Sequence, residues 1–172
     1  AFYQIEKPSA YTNASNVYVA DGLERHRGIE TSVYGSPIKD VRLIAGVSYI
    51  NGELLNQSSA ATNGNRPVGV PTFQYNLGAE YDIPWVPGLT LNARWIHTGR
   101  EYANIANTAS IPAWDRFDLG ARYATQIYGK PTTFRVSVLN VTNKAYWSSV
   151  SSSNYLTLGA PRTVLLSMTT DF

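Results

Sequence analysis

Residues 73–83 read Phe73-Gln74-Tyr75-Asn76-Leu77-Gly78-Ala79-Glu80-Tyr81-Asp82-Ile83. Odd positions are aromatic or aliphatic, and even positions are polar, charged or glycine. A period of two marks an extended strand whose two faces meet different surroundings. Pro84-Trp85-Val86-Pro87-Gly88 follows as a turn signal. Alternation then resumes, with Leu89, Leu91, Ala93 and Trp95 against Thr90, Asn92, Arg94 and Ile96. Further out it recurs at Val41–Ile50, Gly28–Tyr34 and Ala1–Lys7, then at Phe117–Ile127, at Thr132–Tyr146 (which opens with Phe134, Val136 and Val138) and at Val164–Phe172. This predicts an all-β chain of about eight strands.

The connections differ by side. Gly35-Ser36-Pro37, Pro84–Gly88 and Gly129-Lys130-Pro131 are tight, whereas Pro8–Arg25, Gly52–Val70, Gly99–Pro112 and Ser148–Gly159 are long and polar. Short turns on one side and long loops on the other are the pattern of outer-membrane barrels. If Phe172 lies at the periplasmic end, all three tight turns fall there and all four long loops fall outside.

Composition agrees. Aromatics make up 12% of the 172 residues, and charged residues only 15%, against about 25% in an average soluble domain. Mean hydropathy is −0.20. No apolar run approaches the roughly 20 residues of a membrane helix, yet alternating strands average out in such a measure. A net charge of +2 with no Lys/Arg cluster argues against a nucleic-acid partner. The absence of cysteine removes disulfide and thiolate-metal chemistry. The apolar parity suits outer-membrane lipid, with Tyr and Trp near strand ends as an interfacial girdle. The opposite parity holds Glu30, Arg42, Glu80, Asp82, Arg94, Arg116, Asp118, Arg122 and Arg135, which suits a wet or protein-filled lumen. The alternative, a soluble β-sandwich, would have to bury far more Tyr than usual.

Three stretches resemble the C-terminal barrel of TonB-dependent siderophore receptors. They are GLERHRGIE at Gly22–Glu30, IPAWDRFDLGARY at Ile111–Tyr123, and VLNVTNKAYW at Val138–Trp147 followed by GAPRTVLLSMTTDF at Gly159–Phe172. The resemblance covers nearly the whole chain. Thr170 departs from it, since the family more often has a larger apolar residue there. The resemblance implies 22 strands around an N-terminal plug, so residues 1–172 would be the C-terminal segment of the barrel, with the plug absent. Ala1–Lys7 reads as too short to span and to pair with the last strand. The competing expectation is a small autonomous eight-stranded barrel with a structural or adhesion role.

The implied function is uptake of a ferric siderophore across the bacterial outer membrane, coupled to the TonB energy-coupling complex through the absent N-terminal part. The siderophore supplies the iron ligands, so neither a resident cofactor nor a protein metal site is expected. Candidate ligand contacts are Tyr102, Trp114, Arg116, Trp147 and Tyr155, with Arg66 and Arg100 for an anionic ligand. Trp114 and Arg116 have the lumenal parity near the external rim and lead this set. Enzymatic activity is not expected. Asp115 and Asp118 lie on opposite faces, Glu80 and Asp82 share a face with arginines, and His97 falls on the lipid parity.

Overall fold

The computed structural model describes residues 1–151 and 155–171. Phe172, from which the orientation was counted, lies outside the described residues, as do residues 152–154 of the serine-rich run. Among the described residues twelve strands occur in chain order: β1 Phe2–Thr12, β2 Tyr18–Ile38, β3 Val41–Leu55, β4 Phe73–Asp82, β5 Leu89–Thr98, β6 Glu101–Tyr102, β7 Ser110–Ile111, β8 Trp114–Ile127, β9 Lys130–Leu139, β10 Trp147–Val150, β11 Leu156–Leu158 and β12 Thr163–Thr170. Eight of them form one sheet in the order β1-β2-β3-β4-β5-β8-β9-β12, while β6-β7 and β10-β11 are separate two-stranded hairpins. Every pairing is antiparallel. β1 and β12 are the two edges and do not pair with each other, so these strands form a curved wall and not the small closed barrel.

The two parities have separate environments. Leu43, Val47, Leu77, Leu91, Trp95, Phe117, Leu119, Phe134 and Val136 point outward and are exposed, as a face made for lipid must be. Ten steps from Phe73 to Ile83 at about 3.3 Å each, tilted by about 40°, climb about 25 Å, the height of an outer-membrane apolar band. On the other face Arg42 donates from Nε to Glu80 (3.0 Å) and from Nη2 to Asp82 (2.8 Å). Thr90 donates to Asp82 at 2.6 Å, and Arg122 donates to Thr90 at 3.1 Å. Four neighbouring strands are thus cross-linked on the lumenal side.

Several expectations need correction. β1 is 11 residues long and reaches the length of a span. Pro8 is tolerated because β1 is an edge strand, where a missing N–H need not face a partner. The segment 8–25 is not a long loop. It is mostly ladder, with Pro8 paired to Leu23 and a turn only near Asn13–Val17. β2 runs for 21 residues and β3 for 15, so this ribbon extends well above the membrane. There cross-strand ion pairs such as Lys7–Glu24 (2.9 Å) and Arg25–Glu53 link the neighbouring strands. The strand opening at Thr132 stops at Leu139. Asn140 instead takes a left-handed φ of 52° and begins a turn closed by Asn143 N–H to Asn140 C=O at 2.8 Å.

The β8–β9 hairpin turns on Tyr128 and Gly129, with φ of 51° and 75°. Positive φ at both positions matches the right-handed twist of the flanking strands. Gly129→Val should destabilise the barrel by about 1–2 kcal/mol, because a branched side chain resists this region. Gly129→Asn should cost less than half of that. Urea midpoints of the refolded receptor measure both, and equal midpoints for Val and Asn would contradict this account of the turn.

Candidate functional site

Three long connections meet at the external end. Loop 56–72 folds back on β3, with Leu54 N–H to Asn65 C=O and Gly64 N–H to Leu54 C=O both at 2.8 Å. It then locks to the β6–β7 hairpin. Arg66 N–H donates to Asn107 Oδ1 at 2.8 Å, and Asn107 Nδ2 returns a bond to the Arg66 carbonyl at 2.9 Å. Asn65 Nδ2 donates to the Ile105 carbonyl at 2.9 Å, and Gly69 N–H to the Tyr102 carbonyl at 3.1 Å. The third connection enters through β10. Glu101 is only 3% exposed and accepts a hydrogen bond from the Val150 backbone. Its Oε2 is buried and has no hydrogen-bond partner. Burial pushes this carboxyl up from 4.5 to about 7, and the Val150 bond opposes that shift only in part.

The seven sequence-selected residues fall into three groups. Arg66, Arg100 and Tyr102 come together in the locked loops. Arg100 Nη2 donates to the Tyr102 hydroxyl at 3.2 Å, with its guanidinium 5.1 Å from the ring centroid. The Arg66 guanidinium is taken up by Thr72, at 2.6 Å from Nη1 to Oγ1. Trp114 and Arg116 form a second group beneath Tyr146. The Trp114 and Tyr146 rings lie 4.5 Å apart, Trp114 is 8% exposed, and its Nε1 is buried without a partner. Arg116 Nη2 donates to Asp118 at 2.9 Å. Trp147 and Tyr155 make up the third group and are exposed on the last loop.

Asn140 anchors that last loop. It is fully buried, with Nδ2 donating to the carbonyls of Lys144 (2.9 Å) and Ala160 (3.0 Å) and Oδ1 accepting Lys144 N–H at 3.0 Å. Its backbone N–H donates to Asp118 Oδ1 at 2.8 Å, which ties the turn to the Arg116–Asp118 pair. Arg162 contributes from the far side through N–H to Asn143 Oδ1 at 3.1 Å. A cavity of about 900 Å³ opens between the β1–β2 hairpin and loop 56–72, lined among others by Lys7, Tyr11, Tyr18, Gln57 and Val68.

The residues that sequence reasoning missed are Glu101, Asn107, Tyr146 and Gly69. Tyr146 sat inside a quoted motif and went unassigned. Asn107 carries a signal, because Asn is the residue most ready to take the left-handed φ of 57° found there. Nothing local marks Glu101, since a distant strand buries it.

On the outward face at the external end, Tyr75, Trp95, His97 and Phe117 form an aromatic ladder. Tyr75 stacks on His97 at 4.9 Å, and Trp95 stacks on Phe117 at 5.5 Å. Trp95 Nε1 and His97 Nδ1 both bond Asp115, at 2.8 and 2.9 Å. Apolar bodies with hydrated tips suit a membrane interface. No helix among the described residues is long and apolar enough to cross a membrane. The wall, its charged lumenal face, its girdle and its one-sided loops define a section of a bacterial outer-membrane β-barrel.

The chain belongs to the TonB-dependent receptor β-barrel family, whose model matches residues 1–143. It is 41% identical over 174 positions to the ferrichrome receptor FcuA of Yersinia enterocolitica, covering 100% of this chain and 23% of that protein. Among solved structures it is similar to BauA, the ferric preacinetobactin receptor of Acinetobacter baumannii, with a TM-score of 0.87 and 42% identity over 98% of this chain and 26% of that one. The siderophore receptor PiuA of Acinetobacter baumannii shares the fold, with a TM-score of 0.80 at 23% identity over 97% of this chain and 25% of that one. The chain therefore spans about a quarter of the length of the relatives it matches. These relatives are receptors and not enzymes.

Proposed function

We propose that residues 1–172 are the C-terminal wall of a larger receptor, with an N-terminal plug and the remaining strands of a 22-stranded barrel supplied by other parts of the protein. That receptor takes a ferric siderophore across the outer membrane with energy delivered by the TonB complex. The observation that carries this reading is 41% identity to a ferrichrome receptor across the whole of this chain. The open β1 and β12 edges are consistent with it, because unpaired edges need neighbours. The ferric ligand is cargo that brings its own iron ligands. Within this wall Arg100, Trp147 and Tyr155 are offered to it directly. Trp114 and Arg116 are reached once Tyr146 moves aside, and Arg66 and Tyr102 shape the loop beneath Arg100.

The test is growth on defined ferric siderophores with the receptor deleted and then restored. Restored growth on one chemical class supports the reading, and unchanged growth on every ferric siderophore refutes it. The role of Arg100 has its own prediction. Arg100→Ala should weaken binding of an anionic ferric ligand by about fivefold, equivalent to about 1 kcal/mol for an exposed charge contact. Binding of a neutral ferric ligand should not change. Fluorescence quenching titrations on the purified receptor read both values.

A further inference from the structure

Glu101 is the point where three external connections meet. Its β6–β7 hairpin holds loop 56–72 through Tyr102 and Asn107, and its carboxylate accepts the Val150 N–H of β10. We propose that Glu101 is a proton-operated pin: with its carboxyl neutral the three connections are held as one rigid rim piece, and with it ionised the β10–β11 hairpin comes away from the other two. This deepens the functional reading above and rests on these loops forming the ligand-facing rim.

The physical case begins with the unpartnered oxygen. Ionised Glu101 places a full charge on a buried Oε2 that has no donor. Neutral Glu101 leaves only an unpaired hydroxyl there, a much smaller penalty. The surroundings supply no counter-charge. The residues of β7 (Ser110, Ile111) and of β10 (Trp147, Ser148, Ser149, Val150) carry no ionisable side chain. Arg66 is the sole charged residue of loop 56–72, and its Nη1 is bonded to Thr72. Within the hairpin itself, Arg100 lies over the Tyr102 ring. The contact with β10 is also unforgiving. At Gly69, where φ is 71°, a Cβ would stand 2.2 Å from the Val150 carbonyl oxygen, so loop and strand touch backbone to backbone.

The direction follows from linkage. The docked carboxyl binds its proton more tightly than the free one, with values of about 7 and 4.5. Docking is therefore strongest below pH 4.5, weakens as the pH rises through 7, and is flat above that. With these two values the docking constant falls on the order of seventyfold between pH 5 and pH 8.

The experiment uses the full-length receptor in outer-membrane vesicles, with spin labels on Ala60→Cys and Ser149→Cys in a background without other labelled thiols. Both sites are exposed, and this segment has no native cysteine. Electron–electron distance measurements should give one short distance at pH 5 and a second, longer population at pH 8. Glu101→Gln is nearly isosteric and cannot ionise, so it should keep the short distance at both values. Distances that ignore pH in the parent overturn the proposal. So does a Glu101→Gln receptor that still separates with pH, and so does one separated at both values, which would leave Glu101 as a plain structural acceptor. Retained heat-modifiable migration on gels confirms that each variant is folded. Growth on ferric siderophores plays no part in this readout, so the pin and the transport reading can fail independently.

Discussion

Asn140→Ala in the full-length receptor should lower stability by about 3–4 kcal/mol and free the last external loop. The side chain makes three hydrogen bonds to backbone, to the Lys144 carbonyl, the Ala160 carbonyl and the Lys144 N–H, accepts a long fourth from the Thr142 hydroxyl, and none of its surface is exposed. Each bond contributes about 1 kcal/mol. The left-handed φ of 52° adds roughly another 1 kcal/mol against Ala. Asn140→Asp separates packing from hydrogen bonding. It keeps the shape and the acceptor for Lys144 N–H, but turns a donor to two carbonyls into an anionic oxygen facing them. It should be at least as damaging as Ala. Urea unfolding of the refolded barrel measures the loss, and proteolysis between residues 141 and 162 reports the freed loop. An Asp variant near parent stability would show that the cavity is filled by shape alone.

The second large effect is expected at Gly69. A methyl group there meets the Val150 carbonyl oxygen at 2.2 Å, and both partners are backbone, so no side chain can swing away. The φ of 71° adds strain of its own. Gly69→Ala should therefore part loop 56–72 from β10, with a loss in docking on the order of a hundredfold, equivalent to about 3 kcal/mol. The eight-stranded wall should be untouched, because Gly69 lies outside its ladders. The expected signature is faster proteolysis within 56–72 and 99–113 and reduced ferric-ligand uptake, at an unchanged melting temperature. A melting temperature that fell with loop cleavage unchanged would move the role of Gly69 from the rim to the wall.

How far the sequence could be read depended on how many environments each stretch meets. Residues 73–83 lie within the membrane band, where one face has lipid and the other the lumen, so Phe73 through Ile83 alternate without a break. Above that band the contrast disappears. Glu24, Arg25, His26 and Arg27 are all polar, yet they continue β2 through backbone pairing with both β1 and β3. Alternation could not reveal that continuation, and Pro8 pointed away from it. The Arg42–Glu80–Asp82 cluster was legible because strand parity alone places all three on one face. The loop contacts were not. Asn107 meets Arg66 and Glu101 meets Val150 only after three connections have folded together, and no local pattern encodes which loops will touch.

The sheet order has a consequence for how such a protein can change over time. Each of its strands pairs with the strands before and after it along the sheet, and the non-consecutive steps merely pass over a small external hairpin. Lengthening an external connection therefore never has to rethread the wall. It adds only loop-closure entropy, about 0.6 kcal/mol for each doubling of loop length. The periplasmic β8–β9 turn has no such latitude, because the left-handed pair at Tyr128 and Gly129 fixes the register of two strands at once. Divergence in what these receptors recognise is thus inexpensive on one side of the membrane and constrained on the other.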